Sequence, residues 1–237
     1  MIDRLSRRSL LLSAAVLPAS MMLLAACGDG DEVAEEPKPD TPPTPPSAEG
    51  NAPPSQGSVD LAKLLEPGAL PEKQVGKDDA KVTIVEYASM TCGHCANFHK
   101  NTYPVIKEKY IDSGQARLIM REFPFDPRAT AGFMLARCAN DKYFAMVDVL
   151  FKQQETWAFS ENARDALLQI AKLAGFSQES FEACLTDQKL MTDVQSVRDR
   201  GAKEFGVEAT PTFFINGSKY SGALTVEEMS AIIDGML

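Results

Sequence analysis

The chain has 237 residues, with 24 Lys+Arg, 33 Asp+Glu, 2 His and 5 Cys, and 44% of it is hydrophobic, enough for one or two domains with a real core. A net charge of −9 excludes a nucleic-acid binder that works by displacing counterions from phosphates. The charge is unevenly placed, and only residues 61–237 have the composition of a folded domain.

Residues 1–26 read as an export signal. Arg4, Arg7 and Arg8 form a basic start, an apolar stretch runs from Leu10 to Ala26, and the small residues Ala25 and Ala26 close it. Pro18 and Ser20 interrupt the stretch, which makes it a poor permanent membrane span. Ser6-Arg7-Arg8-Ser9-Leu10-Leu11 resembles a twin-arginine signal, although paired arginines also occur in ordinary secretory signals. Leu24-Ala25-Ala26-Cys27 resembles a bacterial lipobox, in which Cys27 becomes the lipidated first residue of the mature chain. That reading places the domain outside the cytoplasm of a bacterium, on the periplasmic side of a membrane. Residues 27–60 hold eight acids against Lys38 alone, and eight of the fifteen prolines. They read as an extended, solvated tether between anchor and domain.

Val82 to Ala88 is rich in β-branched residues and reads as a buried strand. Ser89-Met90-Thr91 turns the chain into Cys92-Gly93-His94-Cys95. From Cys92 onward, Phe98, Val105 and Ile106 suggest a helix that Pro104 kinks. Two thiols three residues apart on the first turn of a helix lie close enough to bridge. Zinc needs four ligands in a closed site; no second C-x-x-C exists, and His99 supplies at most a third ligand. Haem attachment needs His directly after the second Cys, where Ala96 stands. A redox pair fits best. At a helix N-terminus the macrodipole and free N–H groups stabilise an anion and lower the first thiol's pKa. The imidazole of His94, between the thiols, would favour the Cys92 thiolate further.

Ala116 to Phe123 reads as a second strand. Asp126-Pro127 offers an N-cap followed by Pro at the first helical position. Helices are expected around Phe133 to Cys138, over Tyr143 to Phe151, over Asn162 to Leu173 and after Ser177 through Cys184. Trp157, the single Trp, reads as core packing. Thr210-Pro211 then precedes a strand at Phe213 to Ile215. Asn216-Gly217 is a tight hairpin turn, with Lys219 to Gly222 returning. Thr225 and Glu228 form a capping box for the last helix. The order is β-α-β, a long helical insert, then β-β-α.

A strand followed by C-x-x-C, with a distant Thr-Pro before β-β-α, resembles the thioredoxin fold. The insert at about 128–205, with C-G-H-C and G-V-x-x-T-P-T-F-F-I-N-G, is similar to the DsbA family of periplasmic thiol–disulfide oxidoreductases. The resemblance covers roughly residues 70–237. It implies an α/β thioredoxin fold with an inserted helical subdomain. It maps the nucleophile to Cys92, the buried resolving thiol to Cys95, the cis-proline to Pro211 and a substrate-groove residue to Thr210. Glu86 stands where the family has a buried proton-shuttling acid. Gly93 departs from the Pro that well-known DsbA members carry, and C-G-H-C is also the pattern of protein disulfide isomerases.

The implied activity is to introduce disulfides into reduced exported client proteins. A quinone-linked membrane partner of the DsbB type would reoxidise the pair. No metal or organic cofactor is indicated. A disulfide reductase or isomerase, and a non-catalytic binding or chaperone module, are the competing readings. Some alphaproteobacterial DsbA-like proteins carry an extra pair in the helical part. That likeness points to a structural Cys138–Cys184 disulfide, against two buried free thiols packing as small hydrophobes.

Overall fold

The structure, a computed structural model, describes residues 52–237. The expected signal segment, Cys27 and most of the expected tether lie outside those residues. Pairing begins before residue 61. The N–H of Gln56 donates to the Lys219 carbonyl at 2.8 Å, and that of Val59 to Gly217 at 2.9 Å. Ser58 bridges to Ser218. Asp60 then caps a short helix, α1 (Leu61–Leu64), its carboxylate accepting from the Lys63 N–H. The last few residues assigned by composition to the tether are therefore part of the domain. Backbone bonds to a sheet edge hold them, and Val59 packs against the core on that side.

Five strands form one mixed sheet in the order β1-β3-β2-β4-β5. These are β1 (Lys73–Gly76), β2 (Val82–Ala88), β3 (Ala116–Glu122), β4 (Thr212–Ile215) and β5 (Ser218–Ser221). β2 and β3 are parallel, with Val82 opposite Ala116 and Ala88 opposite Glu122. The remaining pairs are antiparallel. β2 is buried at every position. A central strand covered on both faces reads as an unbroken apolar run, which is what made it legible. On one face Ile84 and Ala88 join the main core; on the other, Val85 and Tyr87 pack with Leu64, Phe123, Phe205 and Phe214.

A parallel pair needs a crossover. It is the helical run from Gly93 to Ile111: α2 (Gly93–Asn97), a π-helical turn (Phe98–Thr102), α3 (Tyr103–Ile106) and a second π-helical turn (Lys107–Ile111). Pro104 sits in the first turn of α3. The wide turn ahead of it is the local answer to a residue with no N–H to donate, in place of the simple kink expected.

The insert follows β3. It comprises α4 (Pro127–Cys138), α5 (Tyr143–Lys152), α6 (Gln154–Trp157), α7 (Ala163–Leu173), α8 (Gln178–Thr186) and α9 (Gln188–Phe205). Asp126 caps α4 by accepting from the N–H groups of Arg128 and Ala129, with Pro127 at the first helical position. Ser177 and Ser180 cap α8 reciprocally. α9 ends on Gly206 at φ 63°, a left-handed stop. Cys138 and Cys184 are joined, tying α4 to α8 across 46 residues with Cα atoms 6.2 Å apart. Trp157 is fully buried, and its indole N–H donates to the Leu150 carbonyl at 2.8 Å. The chain returns through β4, a hairpin at Asn216 and Gly217 (φ 46° and 87°), β5, and α10 (Val226–Asp234) behind the Thr225–Glu228 capping box. No helix among the described residues is long and apolar enough to cross a membrane.

Candidate active site

The C-G-H-C segment sits where β2 ends and the crossover helix begins. Cys92 is the N-cap of α2, and its sulfur accepts from the Cys95 N–H at 3.4 Å. The backbone leaves the strand through Ser89, whose carbonyl accepts from the Cys92 N–H at 3.1 Å. A sulfur in the cap position faces the free N–H groups of the first turn, where an anion is favoured.

The two thiols are free and have unlike surroundings: Cys92 is partly exposed and Cys95 is buried. The Cys92 pKa is lowered to about 5. The largest cause is the Cys95 thiol, which donates to the Cys92 sulfur; partial burial opposes it, and the Thr210 side chain and the N–H groups of Cys95 and His94 add to it. Cys95 is pushed well above the ordinary thiol range, first by burial, then by the Cys92 sulfur and the charge of Glu86. The pair thus divides into one accessible thiolate and one protonated, protected thiol.

Opposite Cys92 lies the loop before β4, where the Thr210–Pro211 peptide bond is cis. The Cys92 thiol donates to the Thr210 carbonyl at 3.2 Å. The Thr210 hydroxyl is buried and makes no hydrogen bond within the described residues. Pro211 has no N–H to join the ladder, so the approach to Cys92 stays free on this side.

His94 is exposed, and what it brings to Cys92 is its backbone N–H. Glu86, in the middle of β2, is fully buried and meets His99, whose Nε2 lies 3.1 and 3.0 Å from its two oxygens. Considered from sequence only as a third zinc ligand, His99 is the partner of a carboxylate. Its position four residues after Cys95, on the same helical face, was the signal available for that pairing.

Two further contacts had no sequence signal. Gln154 of α6 is buried, and its amide donates to the carbonyls of Met90 at 2.8 Å and Cys92 at 3.0 Å. The Thr91 hydroxyl donates to Asp126 at 2.5 Å, so the residue that caps α4 also holds the loop before Cys92. Both tie the insert to the active segment. Cys138 and Cys184, by contrast, belong to the insert's own framework. Together the residues around Cys92 can do one kind of chemistry: attack on a sulfur by a stabilised thiolate, with a second thiol in reserve.

A family model for thioredoxin matches residues 70–235. A protein of Rickettsia bellii that carries the name protein-disulfide oxidoreductase is 33% identical over 162 residues, which is 68% of this chain and 62% of that one. The chain thus spans about three fifths of the length of the curated relatives it matches first. The crystal structure of Wolbachia pipientis alpha-DsbA1 aligns with a TM-score of 0.68 and 34% identity over 73% of this chain and 94% of that chain. Oxidised BdbD from Bacillus subtilis shares the fold at a TM-score of 0.62 and 20% identity, over 70% of this chain and 92% of its own. The chain belongs to the thioredoxin family, and within it to the DsbA-like proteins.

Proposed function

We propose that the protein is an exported thiol–disulfide oxidoreductase that donates the Cys92–Cys95 disulfide to reduced client proteins. The observation that carries this reading is the division of the pair: a half-exposed Cys92 that caps its own helix, and a buried Cys95 that keeps its proton. Stabilising the thiolate stabilises the reduced form, and a stable reduced form makes the disulfide an oxidant. That direction is a general rule for which the DsbA proteins are themselves a standard example.

In the step proposed, a client thiolate attacks the Cys92 sulfur of the closed pair. The Cys92–Cys95 bond breaks, a client–Cys92 disulfide forms, and Cys95 leaves as a thiolate that takes up a proton, with Glu86 as the acid nearby. A second client thiolate then attacks the client's own sulfur and releases Cys92 as its stabilised thiolate. Two client thiols have become one disulfide, and the pair is reduced. A DsbB-like, quinone-linked membrane protein would restore it. Thr210 and Pro211 would receive the client chain beside Cys92, and the C-G-H-C segment is the redox centre. The basic start, apolar stretch and Leu24-Ala25-Ala26-Cys27 of the sequence support export and a lipid anchor at Cys27 on the periplasmic side of a bacterial membrane.

The test uses the oxidised full chain and a reduced, unfolded protein that needs disulfides. The chain should transfer one disulfide per molecule, and Cys92→Ser should abolish transfer. Cys95→Ser, once its Cys92 is charged with a small disulfide, should accumulate a client–Cys92 adduct that non-reducing electrophoresis reveals. Transfer that survives Cys92→Ser would overturn the assignment. Preferential cleavage of client disulfides by the reduced chain would favour the reductase reading instead.

A further inference from the structure

Ser89 to Cys92 form a tight turn, closed by the Cys92 N–H donating to the Ser89 carbonyl at 3.1 Å. The turn decides where the Cys92 sulfur points, because the next residue already belongs to α2. The groups that favour a thiolate there are hydrogen-bond donors: the Cys95 thiol and the N–H groups of Cys95 and His94. Hydrogen bonds weaken steeply as their angles close. A small tilt of the turn therefore costs the sulfur its donors without unfolding the chain.

The insert meets this turn at two neighbouring residues. Gly132 of α4 lies against Met90; a Cβ at Gly132 would come within 3.1 Å of Met90 Cβ and Cγ, so the helix can approach no further. Thr91 donates its hydroxyl proton to Asp126 Oδ2 at 2.5 Å. The other oxygen of Asp126, Oδ1, accepts from the N–H groups of Arg128 at 2.8 Å and Ala129 at 3.0 Å. One carboxylate does two jobs with two atoms.

The carboxylate keeps its place without Thr91. Pro127 restricts Asp126 to extended backbone, where it stands at φ −148° and ψ 166°. The Asp126 carbonyl accepts from the N–H of Thr130 at 3.1 Å and from its hydroxyl at 3.2 Å. Arg128 donates to the Ala158 carbonyl at 2.7 Å and so ties the start of α4 to the end of α6. Thr91 is braced less well. Among the described residues its hydroxyl meets, besides Asp126, the Ser89 hydroxyl of the same turn at 3.4 Å. Position is therefore imposed in one direction, from Asp126 to the turn.

We propose that Asp126 is a positioning residue of the redox centre: through Thr91 it fixes the turn that aims the Cys92 sulfur at the N–H groups of α2. The redox consequence rests on the dithiol–disulfide function proposed above; the effect on the thiolate does not. Capping α4 needs one acceptor oxygen, which Ser supplies as well as Asp does. The second oxygen is the one the redox site uses, and that difference separates the two jobs.

The experiment compares the full chain with Thr91→Val, Thr91→Ser, Asp126→Ser and the double variant Thr91→Val with Asp126→Ser. Val keeps the shape of Thr without its donor. Ser at position 126 keeps the cap, but its single hydroxyl oxygen cannot also serve Thr91. Thr91→Val and Asp126→Ser should each raise the midpoint of Cys92 alkylation by at least about half a pH unit, and the glutathione equilibrium should shift about threefold toward the oxidised pair. The double variant should match either single one, and Thr91→Ser should match the parent. Should Asp126→Ser fold poorly, Thr91→Val decides alone, since it leaves the cap untouched. A parental alkylation profile in Thr91→Val overturns the proposal. So do shifts that add in the double variant, and a shift in Thr91→Ser as large as in Thr91→Val. A parent chain that does not exchange with glutathione at all overturns the function on which the redox consequence rests, and the alkylation midpoints still decide the positioning.

Discussion

Cys92 caps its own helix with sulfur, and a thiolate accepts N–H groups better than a thiol does. Its partner three residues on is buried against the main core and cannot shed a proton cheaply. Two consequences can be measured. Alkylation of Cys92 should follow a titration centred at about 5, with the rate flat from pH 6.5 upward; a midpoint at the ordinary thiol value of 9.0 would contradict the site described. The second concerns stability. In the fold the Cys92 pKa is depressed from 9.0 to about 5, so its contribution to the reduced form is complete above the unfolded value and is lost as pH falls through the folded one. The disulfide form has no such thiol. Urea unfolding at pH 5, 7 and 9 should therefore show reduced chain gaining on oxidised chain as pH rises. A gap that stays constant would remove the thiolate as the source of the proposed oxidising power.

At the scale of elements, the insert fixes the redox segment as well as covering it. Gln154 satisfies two buried carbonyls of the active loop, those of Met90 and Cys92. Gln154→Ala takes the donor from the Met90 carbonyl, while the Cys92 carbonyl keeps the Ala96 N–H, and should destabilise the chain by about 1–3 kcal/mol. It should also raise the Cys92 pKa, since the loop that aims the sulfur is loosened; an unchanged alkylation profile would show that the loop holds its shape alone. The Cys138–Cys184 bond acts differently, closing a loop of 46 residues. Replacing both cysteines by Ala should lower stability by roughly 3–4 kcal/mol through the unfolded state, while leaving Cys92 chemistry intact. Loss of disulfide transfer at a temperature where the variant stays folded would count against a purely structural role.

Elements with strong local signals were legible in the sequence. β2 announced itself as a continuous apolar run, the β4–β5 hairpin by Asn216-Gly217, and α4, α8 and α10 by their capping residues. α9 was not recognised as an element, because over 18 residues it buries only Val194, Gly201 and Phe205. β1 is short and half-exposed at the sheet edge, with too little periodicity to read. The π-helical turns around Pro104 depend on packing that no local pattern encodes.

Over the whole molecule, the segments that meet at Cys92 are far apart in sequence. The Cys92–Thr210 contact spans 118 residues, Gln154 reaches back 62, and Asp126 reaches back 35 to Thr91. The identities of Cys92, Cys95, Thr210, Pro211 and Glu86 could be picked out from motifs. The support from Gln154 and Asp126 could not, because side chains distant in the chain meet only after the sheet and insert close. The oxidising character proposed for the Cys92–Cys95 disulfide is read from the redox equilibrium of the full chain with glutathione, followed by alkylation of Cys92. The couple should lie well above the thioredoxin value of about −270 mV, with Cys92 reduced at equilibrium in buffers that leave thioredoxin oxidised. A couple at or below that value would contradict it.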